Sequence, residues 1–434
     1  MAPTNIQRGI ADRAPEHVCV AALTFTPGQP AAAVLANLSE LVRREYAADI
    51  DAIERDTAPG TVPSDAGELG TDTGYDTTNL TITLGISASG FTALGMTATQ
   101  PADIFPIDWA QQADQPINPN SGDLVLQICA DSAYLVEHVL RRIELTMAGQ
   151  LSIIWTITGE QRNGASHRGQ LAPGVARALI GFHDGLSNLD PDNSADAALI
   201  FCGQPGAPDL PPTPAPGPQP APGPGQPGYN QPGQPEPSFP TSLRPTPGPE
   251  PAWAAGGTYM AVRATLMQTT AWDQQPLGGQ QNAVGRYKYS GAALDNPNEL
   301  AHQTDPPAFA ANPALTAVPP NSHIRRANPR RPQSTDTNRR IFRRGYPLIV
   351  ANNSGTLQRG LLFIAFGRTL STQVDFIMKA WLKNPNFPVP NAGIDPLLNL
   401  EVQASPGISQ VIAGGYYFVP PVSDPDQPWA WKLT

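Results

Sequence analysis

The segment VCVAALTFTPGQPAAAVLANLSELVRREY, residues 18–46, carries two apolar periodicities in succession. Val18 to Phe25 reads as an apolar strand. Val34, Leu35, Leu38, Leu41, Val42 and Tyr46 then fall on one face of a helix, because side chains three and four apart share a face. The pattern extends outward from there. Ile82, Leu84 and Ile86 alternate with small or polar residues, as a half-buried strand does, and Leu124, Leu126 and Ile128 repeat that alternation. Leu135, Val136, Val139, Leu140 and Ile143 mark a second amphipathic helix, and Leu151 to Ile157 a closing strand. Strand, helix, strand, strand, helix, strand predicts an α+β ferredoxin-like sandwich, an antiparallel sheet with helices on one face. The stretch Asp56 to Thr78, rich in Gly, Asp, Thr and Pro, reads as a loop.

The same theme returns more weakly later in the chain. Strands are expected over Gly257 to Leu266, Tyr346 to Val350, Gly360 to Phe366 and Gly415 to Val419, with a helix over Val374 to Leu382. Asn296 to Asn338 is long and mostly irregular, a property of functional segments in compact domains. Between the two regions, Gln204 to Pro251 holds 19 of the 50 prolines and has no apolar periodicity. Such a stretch is expected to stay extended, partly in polyproline II, and to pack no core. A chain of 434 residues exceeds what one core usually serves, so two domains are expected.

The formal net charge of −10 gives no electrostatic reason to seek nucleic acid or an anionic membrane. A local basic cluster from Arg325 to Arg344 suggests a bound anionic ligand instead. Cys19, Cys129 and Cys202 are odd in number and match no zinc or redox spacing, so buried free thiols are expected. Met1 to Ala21 has no long apolar stretch after a basic start, and no run is long and apolar enough to span a bilayer. The expectation is a soluble cytoplasmic protein, or one delivered elsewhere by a partner.

Three short segments carry the chemistry. Gly181-Phe182-His183-Asp184-Gly185 follows an apolar run, and its glycines allow a tight turn that exposes Asp184. Ser322-His323-Ile324-Arg325-Arg326-Ala327-Asn328-Pro329-Arg330 places a histidine in a basic stretch. Arg340-Ile341-Phe342-Arg343-Arg344-Gly345-Tyr346 precedes the apolar strand Gly360-Leu361-Leu362-Phe363-Ile364-Ala365-Phe366. Each alone has an ordinary structural reading: a turn aspartate bonded to its own backbone, a surface histidine, a solvated basic face.

In this order, together with the late run Gly414-Gly415-Tyr416-Tyr417-Phe418-Val419-Pro420-Pro421, they resemble the dye-decolourising peroxidases. Asn5-Ile6-Gln7 and the strand Gly256 to Arg263 also fit. The resemblance covers most of the chain except the Pro-rich stretch and the loop Asp56 to Thr78. It implies a pair of ferredoxin-like domains of the dimeric α+β barrel-like kind, with one haem b per chain in the C-terminal half. Because Asp184 precedes the Pro-rich stretch while His323 and Arg343 follow it, that stretch becomes a disordered insertion, 204–251, between residues 1–203 and 252–434.

The resemblance also implies roles. His323 is the iron ligand, and a carboxylate, Asp395, accepts its second N–H. Asp184 shuttles a proton and Arg343 stabilises developing negative charge on hydrogen peroxide. Leu361 and Phe363 form dry walls. Arg325 and Arg263 are candidates for the haem carboxylates, and His183 for the haem edge. The reducing substrates are dyes, phenols and other bulky aromatics, with fastest turnover in mildly acidic solution. No nucleic acid or membrane partner is implied, and a homo-oligomer is compatible. Trp253, Tyr259, Tyr346, Tyr416, Tyr417 and Trp429 are candidates to relay electrons, with plain packing as the ordinary reading of each. Related folds decompose chlorite, decarboxylate haem precursors or release iron; pairing Asp184 with Arg343 favours peroxide cleavage. A haem carrier or haem-processing protein with little peroxidase turnover is the alternative, its Pro-rich stretch docking a partner.

Overall fold

Strand β1 (His17–Phe25) lies between β3 (Leu124–Ala130) and β4 (Leu151–Glu160), antiparallel to both. The computed structural model describes residues 2–47, 79–108, 118–161, 177–218, 238–296, 317–330, 336–351, 354–388, 391–398 and 409–422. The expected loop Asp56 to Thr78 and Trp429 lie outside them. Also formed are β2 (Thr81–Ile86), β5 (Gly217–Pro218), β6 (Ser238–Phe239), β7 (Thr258–Met267), β8 (Phe342–Arg343), β9 (Tyr346–Ala351), β10 (Leu357–Gly367) and β11 (Ser409–Val419). The main sheet runs β4-β1-β3-β2-β11-β7-β10-β8, with β9 also paired to β10.

Among the described residues the N-terminal strands pair in the sheet with the C-terminal ones at Ile86 with Phe418. At the opposite edge β4 packs on β9, where a Cβ on Gly159 would sit 2.7 Å from the Tyr346 Cβ. The inner faces of the two halves therefore share a core: Val18, Val20, Ala22 and Trp155 with Met260, Val262, Leu362, Ile364 and Tyr417. Outside the N-terminal half, helices Ala31–Ala47 and Ala133–Thr146 bury Leu35, Leu38, Val42, Leu135, Val139 and Ile143 on Leu23, Ile82 and Leu126. Each such side chain, fully buried, contributes about 1.5–3 kcal/mol. Ser132 starts the second helix by accepting the Leu135 N–H at 3.4 Å. This is the expected α+β class. β2 and β3 differ from expectation in being buried along their whole length rather than on one face. Their second face is covered by the N-terminal segment, where Thr83 donates to the Arg8 carbonyl and Gln127 to that of Gly9.

In the C-terminal half the expected helix forms as two π-helical segments, Leu370–Val374 and Ile377–Leu382, lying across the sheet. Asp103 Oδ2 accepts the Leu370 and Ser371 N–H groups at 2.7 and 2.8 Å and the Ser371 hydroxyl at 2.9 Å. Phe376, Trp381 and Phe387 form a small aromatic core beyond.

The Pro-rich stretch departs from expectation at both arms. Phe239 is buried in that aromatic core beside Phe376 and Phe387. β5 pairs with β6, Arg339 donates to the Pro212 carbonyl at 2.7 Å, and Arg244 stacks on Phe105. Glu250 accepts the Tyr259 hydroxyl at 2.6 Å. One phenylalanine and a few carbonyls suffice to dock a segment without periodicity. The basic cluster is likewise spent largely on backbone. Arg326 donates to the carbonyls of Trp381, Asn384 and Gly393, Arg339 to Thr372 and Pro212, and Arg344 to Ile10 and Asp12. All three cysteines are buried free thiols, as expected. Among the described residues no helix is long and apolar enough to cross a membrane.

Candidate functional site

Cross-strand pairing puts Arg263 opposite Phe363, Thr265 opposite Leu361, and Arg343 opposite Ala365. Paired residues share a sheet face, so Arg343, Phe363, Leu361 and Arg263 project from the outer face of the C-terminal half. Leu362 and Ile364, between them, point into the shared core. Leu361 and Phe363 are half-buried, unlike their fully buried neighbours. Arg263 is buried, and burial pushes its guanidinium down to about 10, with Tyr416 opposing. It still carries its charge at neutral pH.

Asp184 reaches the same face from the first half of the chain. The glycines beside its turn adopt left-handed backbone, φ 86° at Gly181 and 82° at Gly185, as the sequence reading requires. Asp184 Oδ1 accepts the Gly185 N–H at 2.7 Å. Its Oδ2 lies where a side chain on Gly345 would be: a Cβ there would be 2.6 Å from Oδ2 and 3.4 Å from Leu361 Cδ1. Arg343 is fixed by Asn188, whose side-chain amide both donates to its carbonyl at 2.8 Å and accepts its N–H at 3.0 Å. Arg343 Nη2 donates to the Leu186 carbonyl at 2.9 Å. Asp184, Asn188, Arg343 and Gly345 line one cavity of about 400 Å³ together with Arg13, Gln161 and Asp190.

His323 opens the short helix His323–Ala327, which packs on Ile377–Leu382. Its Nδ1–H donates to Asp395 Oδ2 at 2.9 Å, and Asp395 is fully buried. The second carboxylate oxygen accepts the Leu397 N–H at 2.9 Å, and the Asp395 N–H donates to Leu382. The imidazole keeps 29% of its side-chain surface exposed, and Nε2 has no hydrogen-bond partner among the described residues.

The hairpin 285–293 ties these parts together. A Cβ on Gly285 would be 2.7 Å from Ile324 Cγ1 and 2.8 Å from Ser322 Oγ, beside His323. At its other end His183 Nε2 donates to the Tyr289 carbonyl at 3.0 Å, and Arg177 donates to Lys288 and Tyr289. Burial, then the Arg177 and Arg286 charges, lowers the His183 pKa, so the ring is neutral at neutral pH. Arg325 is buried and donates to the Val318 carbonyl at 2.8 Å. Tyr259, Tyr346, Tyr416 and Tyr417 are core residues and Trp253 packs partly buried, whereas Tyr289, 74% exposed, lies over the Asp184 turn. Sequence reasoning missed Asn188, Arg286 and Tyr289, and gave Gly345 a place in a motif but no role. Only the fold brings Asn188 to Arg343, and Arg286 sits in a segment with no apolar pattern.

A carboxylate and a guanidinium thus share one sheet face, and an imidazole is oriented by a buried carboxylate, on a paired ferredoxin-like frame. Residues 7–161 match the family model for the Dyp-type peroxidase N-terminal part, and residues 235–424 that for the C-terminal part. The chain belongs to the Dyp-type peroxidase family. It is 31% identical over 320 residues to the deferrochelatase of Escherichia coli strain K12. That match takes in 72% of this chain and 62% of the relative, so the chain spans less than two thirds of such relatives. In fold it is similar to a DyP-type peroxidase from Streptomyces coelicolor (TM-score 0.67, 20% identity, 98% of this chain and 94% of that one). Ferric DtpA from Streptomyces lividans gives 0.67 and 21% with the same coverage, and the encapsulated DyP-type peroxidase from Mycobacterium smegmatis 0.56 and 17%, covering 98% of each.

Proposed function

We propose that this chain is a haem-dependent peroxidase that reduces hydrogen peroxide and oxidises phenols, dyes and other aromatic donors one electron at a time. The observation that carries the reading is the His323–Asp395 pair. Nδ1 is committed to a buried carboxylate, and Nε2 has no partner among the described residues. That is the arrangement an iron-ligating histidine would need, because the second hydrogen bond fixes the tautomer and raises basicity. The half-buried Leu361 and Phe363 and the buried cation Arg263 fit a large apolar disc with anionic arms.

When bound, haem supplies the redox chemistry for splitting peroxide and for accepting single electrons from donors. The chain supplies the rest. Asp184 Oδ1 is occupied by the Gly185 N–H, so Oδ2 is the oxygen that takes and returns a proton. Arg343, held through its backbone by Asn188 and through Nη2 by Leu186, offers its remaining N–H groups to developing negative charge. Leu361 and Phe363 keep water from the reacting oxygens. In this reading 1–203 and 252–434 are the two structural halves, and the described arms of 204–251 strap onto both, Arg244 on Phe105 of the first and Phe239 beside Phe376 of the second.

Optical spectra before and after peroxide test the proposal on wild type, His323→Ala and Asp184→Asn. His323→Ala should bind haem at least tenfold more weakly, and Asp184→Asn should bind it normally but react with peroxide ~10²–10⁴-fold more slowly. Wild-type spectra from His323→Ala, or wild-type peroxide rates from Asp184→Asn, would refute the assignments. The name of the curated relatives, deferrochelatase, supports a second reading, haem processing. Chromatography of pigment after turnover separates the two: intact haem supports the peroxidase, metal-free porphyrin the alternative.

A further inference from the structure

Arg326 stands three residues after His323 on the same short helix, so the two side chains rise from one side of it. It is fully buried. Its Nε and Nη2 donate to the Trp381 carbonyl at 3.1 and 2.6 Å, Nη2 also to the Asn384 carbonyl at 2.6 Å, and Nη1 to the Gly393 carbonyl at 2.7 Å. Those carbonyls lie at the two ends of the stretch that leads to Asp395. Trp381 belongs to the helical segment Ile377–Leu382, and Gly393 comes two residues before the carboxylate.

Residues 391–398 form neither helix nor strand, so few contacts decide where Asp395 sits. Its own N–H donates to the Leu382 carbonyl at 2.8 Å, and the Gly393 N–H to the Pro385 carbonyl at 3.1 Å. The Arg326 bond to Gly393 joins this turn to the helix that bears the histidine. A guanidinium suits the task because its donors diverge in a fixed fork, whereas an ammonium on a flexible stem sets no angle between partners. The charge agrees with the geometry. Among the described residues no carboxylate forms an ion pair with Arg326. Burial pushes its guanidinium down to about 10, opposed by the charge of Asp395, itself fully buried. Two opposite charges taken out of water in one place stabilise each other, and either alone is costly.

We propose that Arg326 is a positioning residue that holds the Asp395 carboxylate against His323 Nδ1 and so sets the donor strength of His323 Nε2. This rests on the haem reading and deepens it, because it names what governs the basicity of the proposed iron ligand. A well-aimed charged acceptor makes an imidazole more basic, and a more basic ligand favours ferric over ferrous haem.

The test is the ferric–ferrous midpoint potential of full-length, haem-loaded protein, read by spectroelectrochemistry for wild type, Arg326→Gln, Arg326→Lys, Asp395→Asn and the double variant Arg326→Gln with Asp395→Asn. Arg326→Gln should raise the potential in the same direction as Asp395→Asn. The expected size is about tenfold in the ratio of ferric to ferrous affinity, or about 59 mV for one electron. Arg326→Lys should recover part of the shift. The double variant should lie where Asp395→Asn alone lies, because the arginine acts through the carboxylate. If Arg326→Gln does not fold, Arg326→Lys carries the test with a smaller positive shift. A wild-type potential in whichever arginine variant folds would overturn the proposal. So would a shift from Arg326→Gln that adds in full to that of Asp395→Asn, since the arginine would then act by some other route. Failure of wild type to bind haem, or no response to Asp395→Asn, overturns the haem-ligand reading itself, a result distinct from the other two.

Discussion

Gly345→Ala should disable the proposed proton carrier while leaving the rest of the site intact. Gly345 follows the Arg343-Arg344 pair, and its backbone is not in the left-handed region, so alanine meets no conformational penalty there. The new methyl would lie 2.6 Å from Asp184 Oδ2, against an ordinary contact of 3.4 Å or more. The carboxylate must retreat by about 0.8 Å, and because Oδ1 is held by the Gly185 N–H it must also rotate. Displacing a reacting group by about 1 Å costs on the order of 10²-fold in rate. Stopped-flow mixing with peroxide should therefore show a second-order rate about 50- to 100-fold below wild type, equivalent to about 2.5 kcal/mol of barrier. Haemin affinity should stay near wild type, since neither His323 nor Asp395 is touched. A variant reacting within threefold of wild type would refute the claim that the position of Oδ2 matters.

Three further outcomes follow from the geometry. Asp395→Asn replaces a charged acceptor of the His323 N–H by a neutral one and should weaken haemin binding about 10- to 100-fold in a Soret titration; unchanged affinity would separate this pair from ligand binding. Burial raises the Asp103 carboxyl to about 6, above its value of 3.8 in the unfolded chain. The native state thus holds the proton more tightly, and stability should fall as pH rises between about 4 and 6, by up to ~3 kcal/mol from this group. Urea melts across that range should show the slope, and Asp103→Asn should flatten it. Phe239→Ala empties a buried position between Phe376 and Phe387 and should cost about 3 kcal/mol by denaturant melts, with faster proteolysis of the Pro-rich arms; unaltered stability would mean those arms are not docked.

The sequence reading located the strands because apolar runs bounded by turn residues encode them locally. It misjudged the burial of β2 and β3, since what covers Thr83 and Gln127 is a segment more than 70 residues away in sequence. It proposed Asp184, His323 and Arg343 through ordered motifs and Asp395 as the carboxylate the resemblance implies, and the turn glycines at 181 and 185 take the backbone the first motif demands. Asn188 and Arg286 escaped because their significance lies in which residues the chain reversals bring beside them. The Pro-rich arms were misjudged for a similar reason: composition reports the absence of a periodic face but says nothing of a single aromatic anchor such as Phe239.

Gln7 bridges the narrowest seam of the molecule. Its side chain accepts the Leu84 N–H and donates to the carbonyls of Leu84 and Pro420, while the Val422 N–H reaches back to Asn5. During vectorial synthesis the last of those partners leaves the ribosome some 400 residues after the glutamine does. The nascent amino-terminal half must therefore wait with one sheet margin open, which makes that margin the place where a chaperone, or a second unfinished chain, would first take hold.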